Sequence, residues 1–241
     1  MKKNIIIMGA TSGIGLEVAR LFHRQGHSVA IAGRRMENLK LISTELGNCP
    51  YAQIDVTDTQ APQHLQKLIE SLGGMDIYLH VSGIGKQNRQ LDTAIELSTV
   101  ETNAIGFTRL IDYVWHYFAQ VGHGHIAAVT SIAGTKGMGA APSYSATKRY
   151  CNTYIEALSQ LAHIRGLDIT FTDIRPGFVD TELLSKDFHY PMMMKPQPVA
   201  HSIVRGILSG KRIVTIDWRF RILVFFWRLI PSWLWVRLKI V

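Results

Sequence analysis

At 241 residues, with 47% hydrophobic and 18% charged residues, the chain holds enough apolar material for one sizeable core, and a single domain is expected. The formal net charge of +8 is unevenly spread, because residues 211–241 carry seven Lys or Arg against one acid, Asp217, and account for +6 of it. The near-neutral body argues against a nucleic-acid surface and directs any anionic partner to the C-terminal end. In chain order, Asn4–Gly9 (NIIIMG) is an apolar run too short for a signal peptide and reads as a buried first strand. Gly13–Gln25 follows with Ile14, Val18, Leu21 and Phe22 at helical spacing. Further strands are expected at Ser28–Gly33, Tyr51–Asp55, Met75–Gly83, His125–Ser131 and Asp168–Ile174, each separated by a helix-length segment. Such alternation means βαβ units and a parallel sheet covered on both faces. Glu182–Pro198, with three prolines and the run PMMMKP, reads as an irregular insertion. A helical PVAHSIVRGILSG and a short strand, Arg212–Ile216, complete the sheet, so Trp218–Val241 is an addition to it.

Two cysteines, Cys49 and Cys151, are too few for a disulfide framework and fit a reducing cytoplasm. His123 and His125, in HGH, lack a third ligand at suitable spacing; they read as a polar turn before the fifth strand, and no metal is expected.

Directly after the first strand stands GATSGIG, with Gly9, Gly13 and Gly15. Glycines let the backbone turn tightly and approach a pyrophosphate, whose charge is met by amides at the following helix N-terminus. The second strand ends in Gly33, Arg34 and Arg35. An acid here would bond a ribose 2′-hydroxyl, whereas an arginine pairs with a 2′-phosphate, so NADP(H) is the expected cofactor and NAD(H) the alternative. Arg34 is the stronger of the two; Arg35 reads equally well as a solvated helix opener. Tyr144 and Lys148 lie at i and i+4 of a helical segment, which puts the ammonium near the phenol and favours phenolate. A tyrosine so placed exchanges a proton with a carbonyl or alcohol oxygen. Ser131, at the C-terminal end of the fifth strand, can donate to the same oxygen.

The order and spacing of Gly9, Gly13, Gly15, Ser131, Tyr144 and Lys148 resemble the short-chain dehydrogenase/reductase family over roughly residues 2–216. The resemblance implies a Rossmann-type doubly wound parallel sheet as the catalytic domain (1–217); the tail (218–241) falls outside it and reads as amphipathic helix. It implies an oxidoreductase moving hydride between NAD(P) and a carbonyl or alcohol. Tyr144 is then the acid/base, Lys148 tunes it and holds the nicotinamide ribose, and Ser131 polarises the substrate. Asn103 would sit at a helix break and order a relay water. Asp55 and Val56 match an adenine contact, and Pro176, Gly177, Val179 and Thr181 a nicotinamide loop. Gly13, Ile14 and Gly15 open the phosphate-binding helix, while Ser12 often helps Arg34 hold the 2′-phosphate. Where the family has Asn-Asn-Ala-Gly, this chain reads His80, Val81, Ser82, Gly83. The glycine and the adjoining Ser82 stay as cofactor contacts, a local change in hydrogen bonding follows, and His80 reads as a strand histidine satisfied by its neighbours. A homodimer or homotetramer is expected. The rival from another class is a nucleotide-sensing regulator that keeps the fold without the chemistry.

The substrate lid, residues 183–198, is apolar through Phe188, Tyr190 and Met192–Met194, which suggests a lipid-like ketone or alcohol as well as a lid packed on the protein's own core. In the tail, Arg228 and Pro231 interrupt the apolar runs, so a spanning helix is not expected. On a wheel, Ile222, Leu223, Phe226, Trp227, Leu229 and Ile230 share a face, with Arg221 and Arg228 opposite. Four of the five tryptophans are here, as suits a helix lying in an anionic membrane surface at the inner face; a second-subunit contact is the alternative.

Overall fold

The structure, a computed structural model, describes residues 1–184 and 190–238. Its centre is β1 (Asn4–Met8), where four successive apolar residues are fully buried because both faces of the strand are covered. Ile5 and Ile7 point into one core and Ile6 and Met8 into the other, as the two-residue period of a strand requires. Around β1 the described residues form a seven-stranded parallel sheet in the order β3-β2-β1-β4-β5-β6-β7. The other strands are β2 (Ser28–Gly33), β3 (Tyr51–Gln53), β4 (Ile77–His80), β5 (His123–Val129), β6 (Asp168–Arg175) and β7 (Ile213–Thr215). The winding direction reverses between β1 and β4, which opens a crevice beyond their C-terminal ends.

Helices α1 (Gly13–Arg24), α2 (Met36–Glu45) and α7 (Pro196–Leu208) cover one face. On the other lie α3 (Ala61–Leu72), α5 (Phe107–Val121) and α6 (Pro142–Ile164). Helix α4 (Thr93–Val100) runs into α5 through a widened π turn, Glu101–Gly106. There Gly106 lets the helix approach the β3 exit, since a Cβ would lie 2.7 Å from the Val56 carbonyl oxygen. The expected fourth strand, extended to Gly83, stops at His80 because Val81 and Ser82 both donate to the Met8 carbonyl and bend the chain over β1.

Two histidine readings change. HGH is not a turn: His123 begins β5, and His125 is buried with Nε2 2.8 Å from the Thr172 hydroxyl of β6. His80 is only half satisfied; Nδ1 lies 3.1 Å from the Tyr78 hydroxyl, while Nε2 is buried without a hydrogen-bond partner.

The tail does not stand apart from the sheet. Asp217, at φ +71°, accepts from the Arg219 amide at 2.9 Å and starts α8 (Trp218–Leu229). Pro231 separates it from the single turn α9 (Ser232–Trp235). Phe220, Trp227 and Trp235 are buried in the same core as α1 and α7. Trp227 Nε1 donates to Thr135 Oγ1 at 2.9 Å and Trp235 Nε1 to the Gly137 carbonyl at 2.7 Å. The apolar stripe expected on one wheel face is therefore divided: Trp227 turns inward while Ile222, Phe226 and Leu229 face out. Among the described residues no helix is long and apolar enough to cross a membrane.

Burial holds the His80 imidazole down at about 3, helped by the Lys148 charge and opposed by the Ser82 backbone, and holds His125 at about 4. Both are neutral when folded, whereas unfolded histidines take up protons below about pH 6.5. Stability conferred by these sites is complete above about pH 6.5 and is lost as pH falls toward 4 and 3. Urea titrations should show each site costing roughly 2 kcal/mol between about pH 6.5 and about pH 5. His125→Gln should flatten that dependence relative to wild type; an unchanged slope would contradict the assignment.

Candidate active site

Beyond β1 the chain turns through Gly9 at φ +92° into α1. A Cβ on Gly9 would lie 2.6 Å from the Ser82 amide, and one on Gly13 2.9 Å from Thr181 Cγ2. One on Gly15 would overlap the Gly9 carbonyl oxygen. The three glycines thus answer to separate close approaches: to the β4 exit, to the loop after β6, and of α1 to its own turn. Ser12, the N-cap, makes no side-chain cap bond, which leaves the first-turn amides of Gly13, Ile14 and Gly15 uncapped by it, and Ile14 is partly buried against the core.

The basic end of β2 departs from expectation in one respect. Arg35, not Arg34, reaches the turn: its guanidinium donates to Thr11 Oγ1 at 3.0 Å and Ser12 Oγ at 2.6 Å. Arg34 is exposed, and its carbonyl accepts from the Gln53 side chain at 2.9 Å. Glu182 closes the cluster, with Oε2 2.7 Å from Arg35 and accepting from Ser12 Oγ at 3.2 Å. The Arg35 hydrogen bond and charge hold its carboxyl below the ordinary carboxylate range. Arg35, Ser12 and Thr11 thus form an anion pocket at the β2 exit, filled by a carboxylate from the loop after β6.

Ser131 follows β5 as N-cap of a short 3-10 turn, Ile132–Thr135, and its Oγ accepts from the Ala133 amide at 3.0 Å. The hydroxyl hydrogen is left to donate elsewhere. Tyr144 and Lys148 sit in the first two turns of α6, whose start is fixed by Glu96: its carboxylate accepts from the Ser143 amide and hydroxyl, both at 3.0 Å. Lys148 is buried, donates to the Val129 carbonyl at 3.1 Å, and lies 5.8 Å from the centre of the Tyr144 ring. Asn103 lies in the π turn, with Oδ1 accepting from the Ile84 amide at 2.8 Å and Nδ2 donating to the Ile84 carbonyl at 2.7 Å. The Asn103 main-chain carbonyl, displaced by the wide turn, accepts from the Cys151 thiol at 3.2 Å.

Gly83 and Gly85 make this convergence possible. A Cβ on Gly83 would stand 3.2 Å from Asn103 Oδ1 and 3.4 Å from Lys148 Nζ, and one on Gly85 2.7 Å from the Tyr144 ring. Close approaches therefore line one side of the crevice, from Gly9 through Ser82 and Gly83 to Asn103, Lys148 and Tyr144. On the other side, the Pro176 carbonyl accepts from the Ile132 amide, next to Ser131, at 3.1 Å, and Thr181 lies against Gly13. On the rim, Asp55 Oδ1 accepts from the Thr57 amide at 3.0 Å, and buried Val56 is fixed where its carbonyl accepts from Arg109 at 2.7 Å.

The loop after β6 is held from behind. Gly177 has no room for a Cβ because the Phe220 ring of α8 fills that space. Val179 and Met194 pair as a short parallel bridge, and the Thr181 hydroxyl donates to the Val179 carbonyl at 3.3 Å. Phe178 stacks obliquely on Tyr190, ring centres 5.0 Å apart. Phe188 lies outside the described residues. Among the described residues no three His, Cys, Asp or Glu side chains group as a metal site.

Sequence reasoning missed the support beneath these residues. The Asp173 carboxylate, buried in β6, accepts from Thr130 Oγ1 at 2.5 Å, Asn152 Nδ2 at 2.9 Å and Arg175 Nε at 2.7 Å. Thr130 precedes Ser131, Asn152 lies one turn beyond Lys148, and Arg175 precedes Pro176. The available signal was an acid inside DITFTDI, where a buried parallel strand should be apolar.

A family model described as short chain dehydrogenase matches residues 3–190. An "Uncharacterized oxidoreductase" of Myxococcus xanthus is 27% identical over 228 residues, covering 91% of this chain and 89% of the relative. One of Mycobacterium tuberculosis is 28% identical over 227 residues, covering 90% and 89%. A solved single-site variant of actinorhodin polyketide ketoreductase with NADPH superposes with a TM-score of 0.78 at 24% identity, covering 89% of this chain and 95% of that one.

Removing Asp173 would strand a partly buried guanidinium and two polar side chains, a loss of about 3–5 kcal/mol. In urea denaturation Asp173→Ala should fall by that amount, and Asp173→Asn, which keeps an acceptor, by clearly less. Equal, small losses for both would mean that the cluster carries no weight.

Proposed function

The chain belongs to the short-chain dehydrogenase family, and on that premise we propose that it is an NADPH-dependent oxidoreductase acting on an apolar ketone or the corresponding secondary alcohol. The observation that supports the reading is that Asn103, Lys148 and Tyr144 converge on Gly83 and Gly85 beyond the C-terminal ends of the strands, where Ser131 also follows β5.

The glycine turn fits a dinucleotide: glycines at three close approaches, first-turn amides uncapped by Ser12, and the Arg35–Ser12–Thr11 pocket at the β2 exit. When bound, the nicotinamide supplies or accepts the hydride. The protein's part is the proton and the orientation. Ser131, its lone pair committed to Ala133, donates to the substrate oxygen and stabilises charge that develops there. Tyr144 gives its phenolic proton to that oxygen during reduction and takes one back during oxidation. Lys148 stands 5.8 Å from the centre of the Tyr144 ring, and its bond to the Val129 carbonyl keeps the ammonium on that side. Asn103 braces the Ile84 backbone and so holds Gly83 and Gly85 against the lysine and the tyrosine.

Preference for NADPH over NADH rests on Arg35 and Ser12, with Arg34 beside them and no acid at the end of β2. An apolar substrate is supported by Phe178, Met192, Met194 and the tail aromatics, which form one cluster behind the loop after β6. Exposed Leu97, Val100 and Ile105 along α4 and its π turn support a homodimer or homotetramer. Two free, buried cysteines suit a cytoplasmic site, and the basic tail suits the surface of an anionic membrane.

Tyr144→Phe should abolish NADPH-dependent turnover of a ketone panel graded by chain length while leaving NADPH fluorescence binding intact; persisting turnover would overturn the assignment, and a wild type that binds NADPH but reduces nothing would favour a sensor. Glu182→Gln should tighten NADPH about fivefold and leave NADH unchanged, because the carboxylate competes with a phosphate for Arg35 and Ser12. Equal effects on both cofactors would remove Arg35 from the 2′-phosphate.

A further inference from the structure

The tail has two faces with different occupants. Its inner face is spoken for: Phe220 fills the space at Gly177, Trp227 is bonded to Thr135, and Trp235 to Gly137. Lys136 Nζ adds a bond to the Ile230 carbonyl at 2.7 Å. These anchors fix the outer face in place, and Trp218, Phe225, Phe226, Leu229 and Trp233 on it are 61–67% exposed. Exposed aromatic side chains at this density mark a contact.

The charge says what kind. The one acid of the tail, Asp217, is taken by Arg219 at 2.6 Å. Among the described residues no carboxylate pairs with Arg221, Arg228 or Arg237. A two-fold contact between copies would set this positive face against itself, which is repulsive. A bilayer with anionic headgroups satisfies both features, taking the apolar side chains into the acyl boundary and the guanidinium groups at the phosphates.

The inner anchors also say where that bilayer lies relative to the chemistry. They attach to Thr135, Lys136 and Gly137, between Ser131 and Tyr144, and to Gly177 in the loop after β6. Phe178, which stacks on Tyr190 from one side, meets Phe220 from the other, ring centres 6.1 Å apart. We propose that the outer face of α8 and α9 seats on an anionic bilayer and that the apolar substrate passes to the Ser131–Tyr144 region from the bilayer, along the apolar seam of Phe220, Phe178 and Tyr190. The second half of this inference rests on the proposed function; the first does not.

Co-sedimentation of the full chain with phosphatidylglycerol/phosphatidylcholine vesicles, against phosphatidylcholine alone, tests the docking. Binding is expected to anionic vesicles only and to weaken at about 0.5 M salt. Phe225→Glu/Leu229→Glu and, separately, Arg221→Gln/Arg228→Gln should each reduce it about tenfold. The first variant should leave turnover of a short water-soluble ketone unchanged but lower kcat/KM for a long-chain ketone dissolved in vesicles about tenfold. Absence of vesicle binding, or binding unaffected by both variants, overturns the docking. Should the first variant instead split an oligomer, with no vesicle binding by wild type, the face is a subunit contact and the proposal fails. Equal loss on both ketones overturns delivery from the bilayer. Failure of the reductase reading is visible separately, as Tyr144→Phe retaining turnover with vesicle binding intact.

Discussion

The arrangement at the crevice depends on one buried carboxylate. Asp173 accepts hydrogen bonds from Thr130, Asn152 and Arg175, and so joins the ends of β5 and β6 to the second turn beyond Tyr144 in α6. Ser131, Lys148 and Pro176 are each within four residues of one of these donors. Three elements that meet only through the fold are thereby set against one another by charge-assisted bonds in a water-poor interior, where such bonds are short and directional. Without that junction the serine, the lysine and the loop after β6 would keep only their separate local contacts, with nothing tying the three together.

The glycines do the complementary work of removing volume. Each of Gly9, Gly13, Gly15, Gly83, Gly85 and Gly177 stands where a methyl group would meet a neighbour, and those neighbours come from several different parts of the crevice. The crevice is therefore narrow because strands and loops are drawn together at points where only hydrogen is tolerated. The π turn at Glu101–Gly106 serves the same end: by widening the helix it brings Asn103 onto the Ile84 backbone, and at Gly106 the helix presses on the β3 exit.

The tail forms the remaining wall together with Phe178 and the Val179–Met194 bridge. Trp227 and Trp235 direct their indole N–H groups into the loop between Ser131 and Tyr144, and Phe220 supports the loop after β6. A segment that lies beyond the last strand thus packs against both sides of the site. Its apolar residues fall on two sides because it has two neighbours to satisfy, the protein core on one side and, under the inference drawn above, lipid on the other.

The alternation of strands and helices, the parallel sheet, the glycine turn and the Ser131–Tyr144–Lys148 set were all legible in the amino-acid sequence. Each is written as a local pattern: a buried strand as an apolar run, a helical pair as spacing four, a tight turn as glycine. A tail too interrupted to span a membrane was legible in the same way. The partners of side chains whose neighbours are far away in the chain emerged only with the folded molecule. Ser12 pairs with Arg35 and not Arg34. β5 begins at His123 and not at His125, whose ring meets a buried partner in Thr172, and Trp227 turns from the outer stripe to donate to Thr135. Asp173 gathers three donors from three elements. Local periodicity fixes which face a residue occupies along its own element; what stands opposite that face is set by long-range packing, which no stretch of sequence records.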